Sequence, residues 1–417
     1  MIATRHVLAC GTMVAHGMPA AAHRPQSVHP RDELSICAQV SLRYEADHLL
    51  PWVAWHSLIG FDRVLLYIDD SGHLEVDPAV HARITAALEQ PTATKLVRWY
   101  SMRAHNMTGP GDQHAHCVFE ARKHATWMAM WDIDEVPALG APPTPSAAAA
   151  APSPLPSLKA LLRALPSRTS GVLVPRINFD CGGYTEPPPL LSYEAFTRRM
   201  CDSFLQDAGG KVIWRGDSQG VGAGVRPDTF HTLTAKKRSS LSDPDGEIVR
   251  SWKQNSNKSG LDWWKGVAEG PVVTKDYNKG GFAALTAQAT ALRLNHYITR
   301  STAECRRKKQ DQARAGADAW GHSWRVGGLS SEPMCECPAT LRCGKSGGTP
   351  PADLSLAQHV PAIKGEMGRL FGAAAVAPPA AKAPPPKKSG HSHSHSKPSA
   401  KAAVKPSYFS VALGLEG

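Results

Sequence analysis

The sequence predicts an α/β fold in which helices flank a mostly parallel sheet. Short aliphatic segments alternate along the chain with helical patterns, which is typical of parallel strands connected by helices. One of these segments, residues 126–131 (TWMAMW), has no charged residue, as expected of a strand buried on both faces of a sheet. In addition, acidic residues directly follow two of the segments, at the position where parallel strands end at a common edge.

The individual elements follow from the spacing of apolar residues. A short strand at 36–40 precedes a helix at 47–58, in which apolar side chains recur three and four residues apart. Pro51 would lie in the first turn of that helix, where proline is tolerated, and His56 on its apolar face, where packing is the expected role. The remaining predicted elements are strands at 63–68, 94–99, 126–131 and 171–175 and helices at 112–124 and 158–165.

Composition divides the chain into four segments. Residues 1–30 form a leader with a soft apolar run, which is either a weak signal or membrane anchor or a disordered start. Residues 31–320 form the α/β domain, with a Pro/Ala-rich insertion at 138–156 that we expect to be disordered. Residues 321–371 are a cysteine-containing extension, and residues 372–417 are a basic tail rich in His, Pro and Ala, which we also expect to be disordered.

The overall composition excludes several classes of protein. Hydrophobic residues make up 42% of the 417 residues and charged residues 20%, as in a globular protein, and no apolar run is long enough for a polytopic membrane protein. The formal net charge is +11, and the tail contributes six lysines against one glutamate. Such a tail either binds an anionic partner or is simply solvated. No nucleic-acid-binding module is recognisable, so we expect no nucleic-acid partner.

The chain contains nine cysteines, an odd number, so at least one thiol has no partner within the monomer. Cys335, Cys337 and Cys343 lie close together, but their spacing is not that of a zinc site. We expect a disulfide that involves two of these three, in an oxidising compartment.

The two acidic clusters are the strongest indication of chemistry. Asp69 and Asp70 follow the strand at 63–68, and Asp132, Asp134 and Glu135 follow the strand at 126–131. Carboxylates two residues apart at a strand end are able to share one Mg²⁺ or Mn²⁺ ion, which in turn neutralises a bound diphosphate. The alternative is a capped strand end or an exposed acidic turn.

Five blocks of the sequence resemble glycosyltransferase family 92 and the related family-2-like proteins, which share the Rossmann-like GT-A architecture. The blocks are residues 43–62 (RYEADHLLPWVAWHSLIGFD), 66–71 (LYIDDS), Gln113 and Cys117 with 127–135, 178–199 (NFDCGGY, then EAFTRR) and 294–301 (LNHYITRS) followed by Lys308 and Lys309. They occur in the order that the family has. The sequence departs from the family pattern at Tyr44, Asp180 and Val136.

The resemblance implies a role for each matching residue. Asp134 would ligate Mn²⁺ (or Mg²⁺), Asp132 would ligate it or contact the ribose, and His296 would be a further ligand. Asp69 or Asp70 would bind the nucleotide base or ribose, with Glu45 nearby. Structural alternatives are a turn at Asp69, a helix N-terminal charge at Glu45 and a core pair of His296 with Tyr297.

The resemblance also implies the reaction. The protein would be a metal-dependent, inverting hexosyltransferase that moves a sugar, with galactose as the family-level expectation, from a UDP-sugar to a glycan or glycoprotein in the Golgi. An inverting transfer needs a carboxylate base, for which Asp180 and Glu186 are the candidates. The alternative is a noncatalytic relative that binds glycans or anions. Association with a membrane would depend on the N-terminus.

Overall fold

The computed structural model of the protein describes residues 33–70, 76–107, 110–121, 124–139, 155, 157–164, 169–174, 176–199, 211–215, 225–229, 232–235, 240–242, 248–249, 292–314, 335 and 352–375. The chain divides into two units, 1–379 and 380–417, and every described residue belongs to the first. The predicted leader, most of the insertion and the tail beyond residue 375 lie outside the described residues.

The strands are β1 (Leu34–Val40), β2 (Arg63–Ile68), β3 (Val97–Ser101), β4 (Trp127–Met130), β5 (Glu135–Leu139), β6 (Thr169–Val174), β7 (Arg176–Asn178), β8 (Lys211–Arg215), β9 (Val225–Thr229), β10 (Thr232–Ala235), β11 (Ser240–Ser242), β12 (Ile248–Val249) and β13 (Leu292–His296). The helices are α1 (Leu42–Leu58), α2 (Pro78–Leu88), α3 (Pro110–Ala121), α4 (Leu158–Ala164), α5 (Ser192–Ala195), α6 (Thr302–Arg314) and α7 (Val360–Phe371). Short 3-10 turns lie at Ala93–Lys95, Ala357–His359 and Ala373–Ala375.

The protein is a mixed α/β structure around a mostly parallel sheet, which confirms the predicted fold class. Within the described residues this sheet has eight strands in the order β12-β11-β6-β8-β4-β1-β2-β3. Strands β4, β1, β2 and β3 are parallel, and β8 runs antiparallel between β4 and β6. All four residues of β4 are buried, as its lack of charge predicts.

A second sheet holds the segment that follows β4. It has the order β5-β13-β7, in which β13 is antiparallel to β5 and parallel to β7. In this register His296 lies beside Glu135 on one side and Asn178 on the other. Residues separated by more than a hundred positions are therefore neighbours at one end of β13.

Helix α1 packs against the second sheet through its tryptophans. The indole nitrogens of Trp52 and Trp55 donate hydrogen bonds to the backbone carbonyls of Glu135 (2.9 Å) and Pro137 (2.8 Å). Both indole rings are fully buried, and so are most of the aliphatic residues of β1 and β2. These bonds satisfy buried polar atoms and fix α1 against β5, which carries the segment after the acidic cluster.

Several predicted boundaries differ from the structure. Helix α1 begins at Leu42, five residues before the predicted start, because Ser41 and Glu45 form its N-terminal turn. Pro51 is consequently inside the helix, where its ring nitrogen has no hydrogen to donate to the Asp47 carbonyl. The strand predicted at 94–99 is a 3-10 turn followed by β3.

The structure describes only parts of the segments 138–156 and 321–371. Residues 138 and 139 belong to β5, which pairs with β13. Helix α7 of the extension buries Ile363 and Leu370 in the same hydrophobic core as α1 and the main sheet. Asp353, just before it, is buried against Arg199 and Arg293. The extension therefore completes the α/β core.

Disulfides join distant parts of the chain. Cys37 on β1 is bonded to Cys117 on α3, and Cys305 on α6 is bonded to Cys335. Cys335 thus pairs with a cysteine outside the predicted cluster. In the part of the chain that the structure describes, no helix has both the length and the apolar character needed to span a membrane.

Candidate functional site

The candidate site lies at one edge of the main sheet. Strands β1 to β4 are parallel, so their carboxyl ends meet at this edge. After β1 the chain adds β2 and β3 on one side and then places β4 on the other side of β1. In open α/β sheets, ligands bind in the crevice at such a change of direction. The segments after β1 and β4, which contain Glu45 and Asp134, flank this crevice.

Asp134 is the centre of the charge cluster. Its buried carboxylate lies 3.1 Å from Lys308 Nζ on α6 and 3.6 Å from His296 Nε2 on β13. Burial alone would raise the pKa of Asp134, but Lys308 and His296 outweigh it, so this pKa is well below the ordinary value. Asp134 is therefore ionised across the physiological range.

A neighbouring amide orients the ring of His296. Nδ1 lies 2.8 Å from Asn178 Oδ1, and because that oxygen only accepts, Nδ1 carries the hydrogen in this arrangement. Nε2 then faces the Asp134 carboxylate at 3.6 Å. An imidazole held through its other nitrogen is the usual arrangement of a histidine metal ligand. The nitrogen and oxygen donors of this pair suit Mn²⁺.

The first aspartate of the cluster has a different environment. Asp132 is half exposed, and Lys211 Nζ donates to its carboxylate at 2.8 Å. The same buried lysine lies 3.1 Å from Glu135, whose other oxygen binds Arg176 at 2.8 Å. Burial opposes ionisation of Glu135, yet Lys211 and Arg176 lower its pKa to about 2. Glu135 also accepts from the Asp132 backbone amide, so it stabilises the loop that carries Asp132 and Asp134.

Glu45 lies in the first turn of α1, where its carboxylate accepts a hydrogen bond from the Ser41 amide at 2.8 Å. Burial raises the pKa of Glu45 to about 7; Lys308 opposes this shift and Asp134 adds to it. Glu45 therefore occupies the predicted position at the helix N-terminus, where burial favours its uncharged form, and it belongs to the same electrostatic cluster as Asp134.

The two aspartates after β2 have separate environments. Asp69 is buried and lies 3.4 Å from the side-chain amide of Gln39. Asp70 accepts from the Ser101 hydroxyl at 2.6 Å and from the Arg103 amide at 2.8 Å. Both oxygens of Asp70 therefore stabilise the turn after β3. Asp69 lies at the edge of the sheet, beside the end of β1.

The two candidate bases differ in availability. Asp180 is buried, and it accepts from Arg198 Nε at 2.5 Å and from the Gly182 amide at 2.7 Å. Gly182 has a φ of +60°, which glycine adopts without strain and which lets its amide turn back to the carboxylate. Glu186 is exposed on the following loop. Asp180 thus has a structural role in this arrangement, whereas the carboxylate of Glu186 faces solvent.

A shallow cleft opens beside Asp134. Its lining residues come from α1, the loop after β4, α5 and the segment after β13: Asp47, His48, Pro51, Ile133, Asp134, Val136, Leu191, Ser192, Tyr193, Tyr297 and Arg300. Among the described residues, no group of three or more His, Cys, Asp or Glu side chains is placed to hold a metal ion. Asp134 and His296 are the two predicted ligands that the structure brings together.

The sequence alone did not identify Lys211, the charge of Arg300 or the hydrogen bonds of His48. Lys211 is on β8, in a stretch without a recognised motif, and nothing in the sequence marks it. Arg300 lies within the LNHYITRS block, so its position was available but its charge was not used. His48 lies inside the first block, yet only its contacts with residues far along the chain distinguish it. No protein-family model and no curated protein sequence matches this chain.

Proposed function

We propose that this protein is a GT-A-like glycosyltransferase that transfers a sugar from a nucleotide sugar with inversion. The observation that carries the proposal is the pair of Asp134 and His296, which face each other beside the crevice between β1 and β4. The strand arrangement and the position of an acidic cluster directly after a buried central strand support a GT-A-like fold.

A divalent cation would occupy the space between the two side chains. Asp134 would contribute a carboxylate oxygen and His296 its Nε2 atom, because Nδ1 is bonded to Asn178. When bound, Mn²⁺ or Mg²⁺ would neutralise charge that develops on the departing diphosphate. Asp132 would join this set or contact the ribose once its lysine partner moves.

The lysine and arginine of the site would act on the diphosphate directly. Lys308 Nζ lies against Asp134, and Arg300 lines the same cleft. Both cations come from the segment after β13 and lie within electrostatic reach of Glu45. Cations that are already in position stabilise developing negative charge without reorganisation, which favours departure of a diphosphate.

The donor that we propose is a UDP-sugar, with galactose first, and the acceptor a glycan or glycoprotein. The nucleotide would lie along the ends of β1 and β2, near Glu45 and Asp69. The disulfides Cys37–Cys117 and Cys305–Cys335 support an oxidising compartment such as the secretory pathway, with the Golgi as its proposed site of action. Glu186 is the better placed of the two candidate bases because both oxygens of Asp180 are hydrogen-bonded.

The test is release of UDP from a panel of UDP-sugars, with and without Mn²⁺. The unmodified protein is compared with Asp134→Asn, and with Asp77→Asn as the matched control. Asp77 caps helix α2 by accepting from the Ala79 amide, which an asparagine oxygen also does, so the control should keep full activity. We expect metal-dependent turnover that falls at least about 100-fold in Asp134→Asn. Absence of turnover with every donor would contradict the proposal.

One observation favours a second function, a noncatalytic protein that binds glycans or anions. The carboxylates of Asp132 and Asp134 are each in contact with a lysine, Lys211 and Lys308. Such pairs need no metal to be electrically balanced. UDP binding that is independent of Mn²⁺, with no turnover, would favour this second function.

A further inference from the structure

Three side chains outside the acidic cluster form a continuous row of hydrogen bonds. The hydroxyl of Ser192 lies 2.9 Å from His48 Nδ1, and His48 Nε2 lies 2.9 Å from Glu304 Oε1. The residues come from α5, α1 and α6, so 256 positions separate His48 from Glu304. All three side chains are mostly buried.

The direction of the hydrogen bonds follows from the carboxylate. Burial opposes ionisation of Glu304, but hydrogen bonds from His48 and Ser301 and the charge of Arg300 hold its pKa below the ordinary value. Because an ionised carboxylate only accepts, His48 Nε2 carries the hydrogen. Nδ1 is then the acceptor, and the Ser192 hydroxyl donates to it. The row therefore runs from serine to imidazole to carboxylate.

Glu304 is held in place by a neighbouring serine, and His48 is uncharged. Glu304 Oε2 accepts from the Ser301 hydroxyl at 2.6 Å and from the Ser301 amide at 3.1 Å. Burial and the charge of Arg300 lower the pKa of His48, and Glu304 and Asp47 oppose them. The net direction is downward, so the imidazole is neutral and able to accept a proton at neutral pH.

The row also reaches a cavity. Ser192 and His48 line this cleft, together with the apolar side chains of Pro51, Ile133 and Leu191. The apolar part of this lining suits the carbon chain of a short acyl group. Arg300 lines the cleft as well, and its charge would stabilise an oxyanion.

We propose that Ser192 is a nucleophile, activated by His48 and Glu304, that reacts with esters of short-chain carboxylic acids. A hydroxyl in hydrogen-bond contact with a base that a third group orients is the arrangement found at activated serines. This activity would be additional to sugar transfer and does not depend on it.

The reaction would balance without any further reagent. Ser192 Oγ attacks the ester carbonyl carbon while its proton moves to His48 Nδ1. The ester C–O bond then breaks, and the departing alcohol takes that proton. Water repeats the sequence on the acyl-serine, with His48 again accepting the proton, and releases the carboxylic acid. Glu304 stays ionised and stabilises the imidazolium of His48 that forms during both acylation and deacylation.

The test is covalent labelling of the full-length protein with diisopropyl fluorophosphate, a small probe of nucleophilic serines, followed by peptide mass spectrometry. We expect an adduct on Ser192 that is absent in Ser192→Ala and forms at least about 100-fold more slowly in His48→Gln. Glu304→Gln should slow labelling, and Glu304→Asp should restore part of the rate. The matched control is Ser57→Ala, because the Ser57 hydroxyl donates to Glu366 at 2.6 Å and contacts no imidazole in that bond.

Two further readouts separate this role from a purely structural one. Hydrolysis of p-nitrophenyl acetate should show a burst equal to the amount of enzyme, and the labelling rate should depend on a group that titrates below the ordinary histidine value of 6.5. Thermal unfolding confirms that each variant is folded. An unlabelled Ser192 in the folded unmodified protein would overturn the proposal, and so would equal labelling rates in the unmodified protein and His48→Gln.

Discussion

Replacement of Glu45 by glutamine should remove a pH-dependent loss of stability. Burial raises the pKa of Glu45 from 4.5 to about 7. Because the folded pKa is the higher one, the protonated carboxyl stabilises the fold fully below pH 4.5, and this contribution is lost as the pH rises through 7. At about 1.4 kcal/mol for each tenfold change, the full difference corresponds to roughly 3 kcal/mol in the free energy of unfolding. Glutamine has the shape of the protonated form and does not titrate.

Urea unfolding between about pH 5 and pH 8 measures this effect. The unmodified protein should lose about 2 to 3 kcal/mol more than Glu45→Gln over this interval. Glu89→Gln is the matched control, because Glu89 is exposed at the end of α2 and the substitution is chemically the same. If Glu45→Gln and the unmodified protein lose stability in parallel, the carboxyl of Glu45 is not protonated in the fold, and the charge arrangement described for the site is wrong.

Three further predictions concern the core that supports the site. Burial lowers the pKa of His56 from 6.5 to about 3. As the pH falls below 6.5, His56 therefore becomes protonated in the unfolded state but stays neutral in the folded state, which favours unfolding. The unmodified protein should therefore lose about 2 kcal/mol more than His56→Gln between about pH 7.5 and pH 5, measured by urea unfolding. Asp353→Ala should cost about 3 to 5 kcal/mol, because it leaves the buried Arg293 without its carboxylate partner; Asp353→Ala in an Arg293→Met background should cost less. Replacement of both Cys37 and Cys117 by alanine removes a disulfide between residues 80 positions apart. Under oxidising conditions this should lower the free energy of unfolding by about 4 kcal/mol in urea unfolding, whereas the two proteins should not differ in this way after reduction.

The fold was largely predictable because its central strands carry a strong local signal. Residues 64–68 and 127–131 are hydrophobic throughout, and strands buried on both faces require that composition. The start of α1 was missed because its N-terminal turn depends on Ser41 and Glu45 rather than on an apolar stripe. Helix α7 was not among the predicted helices, and periodicity would in any case indicate that it has a buried face but not which surface covers that face.

The candidate site was predictable only in part. Asp134 and His296 were identified together because each belongs to a recognisable block, and the structure brings them to 3.6 Å. Lys211 lies 79 positions from Asp132, and Lys308 lies 174 positions from Asp134. No local pattern in the sequence encodes these contacts. Asp180 was predicted as a base from its position alone. The sequence did not indicate that Arg198 donates a hydrogen bond to its carboxylate.

Arg300 contributes to both the proposed sugar transfer and the proposed serine reaction, so a substitution at Arg300 does not distinguish between them. It is one of two described non-glycine residues with a positive φ, +48°, a conformation that persists only where the surrounding contacts fix it. One such contact is the bond from its guanidinium to the Tyr44 carbonyl at 3.0 Å. Its charge lowers the pKa of both Asp134 and His48, so removal of Arg300 would disturb sugar transfer and serine reactivity together. Asp134 and Ser192 have no such shared role, and their substitutions test one chemistry each.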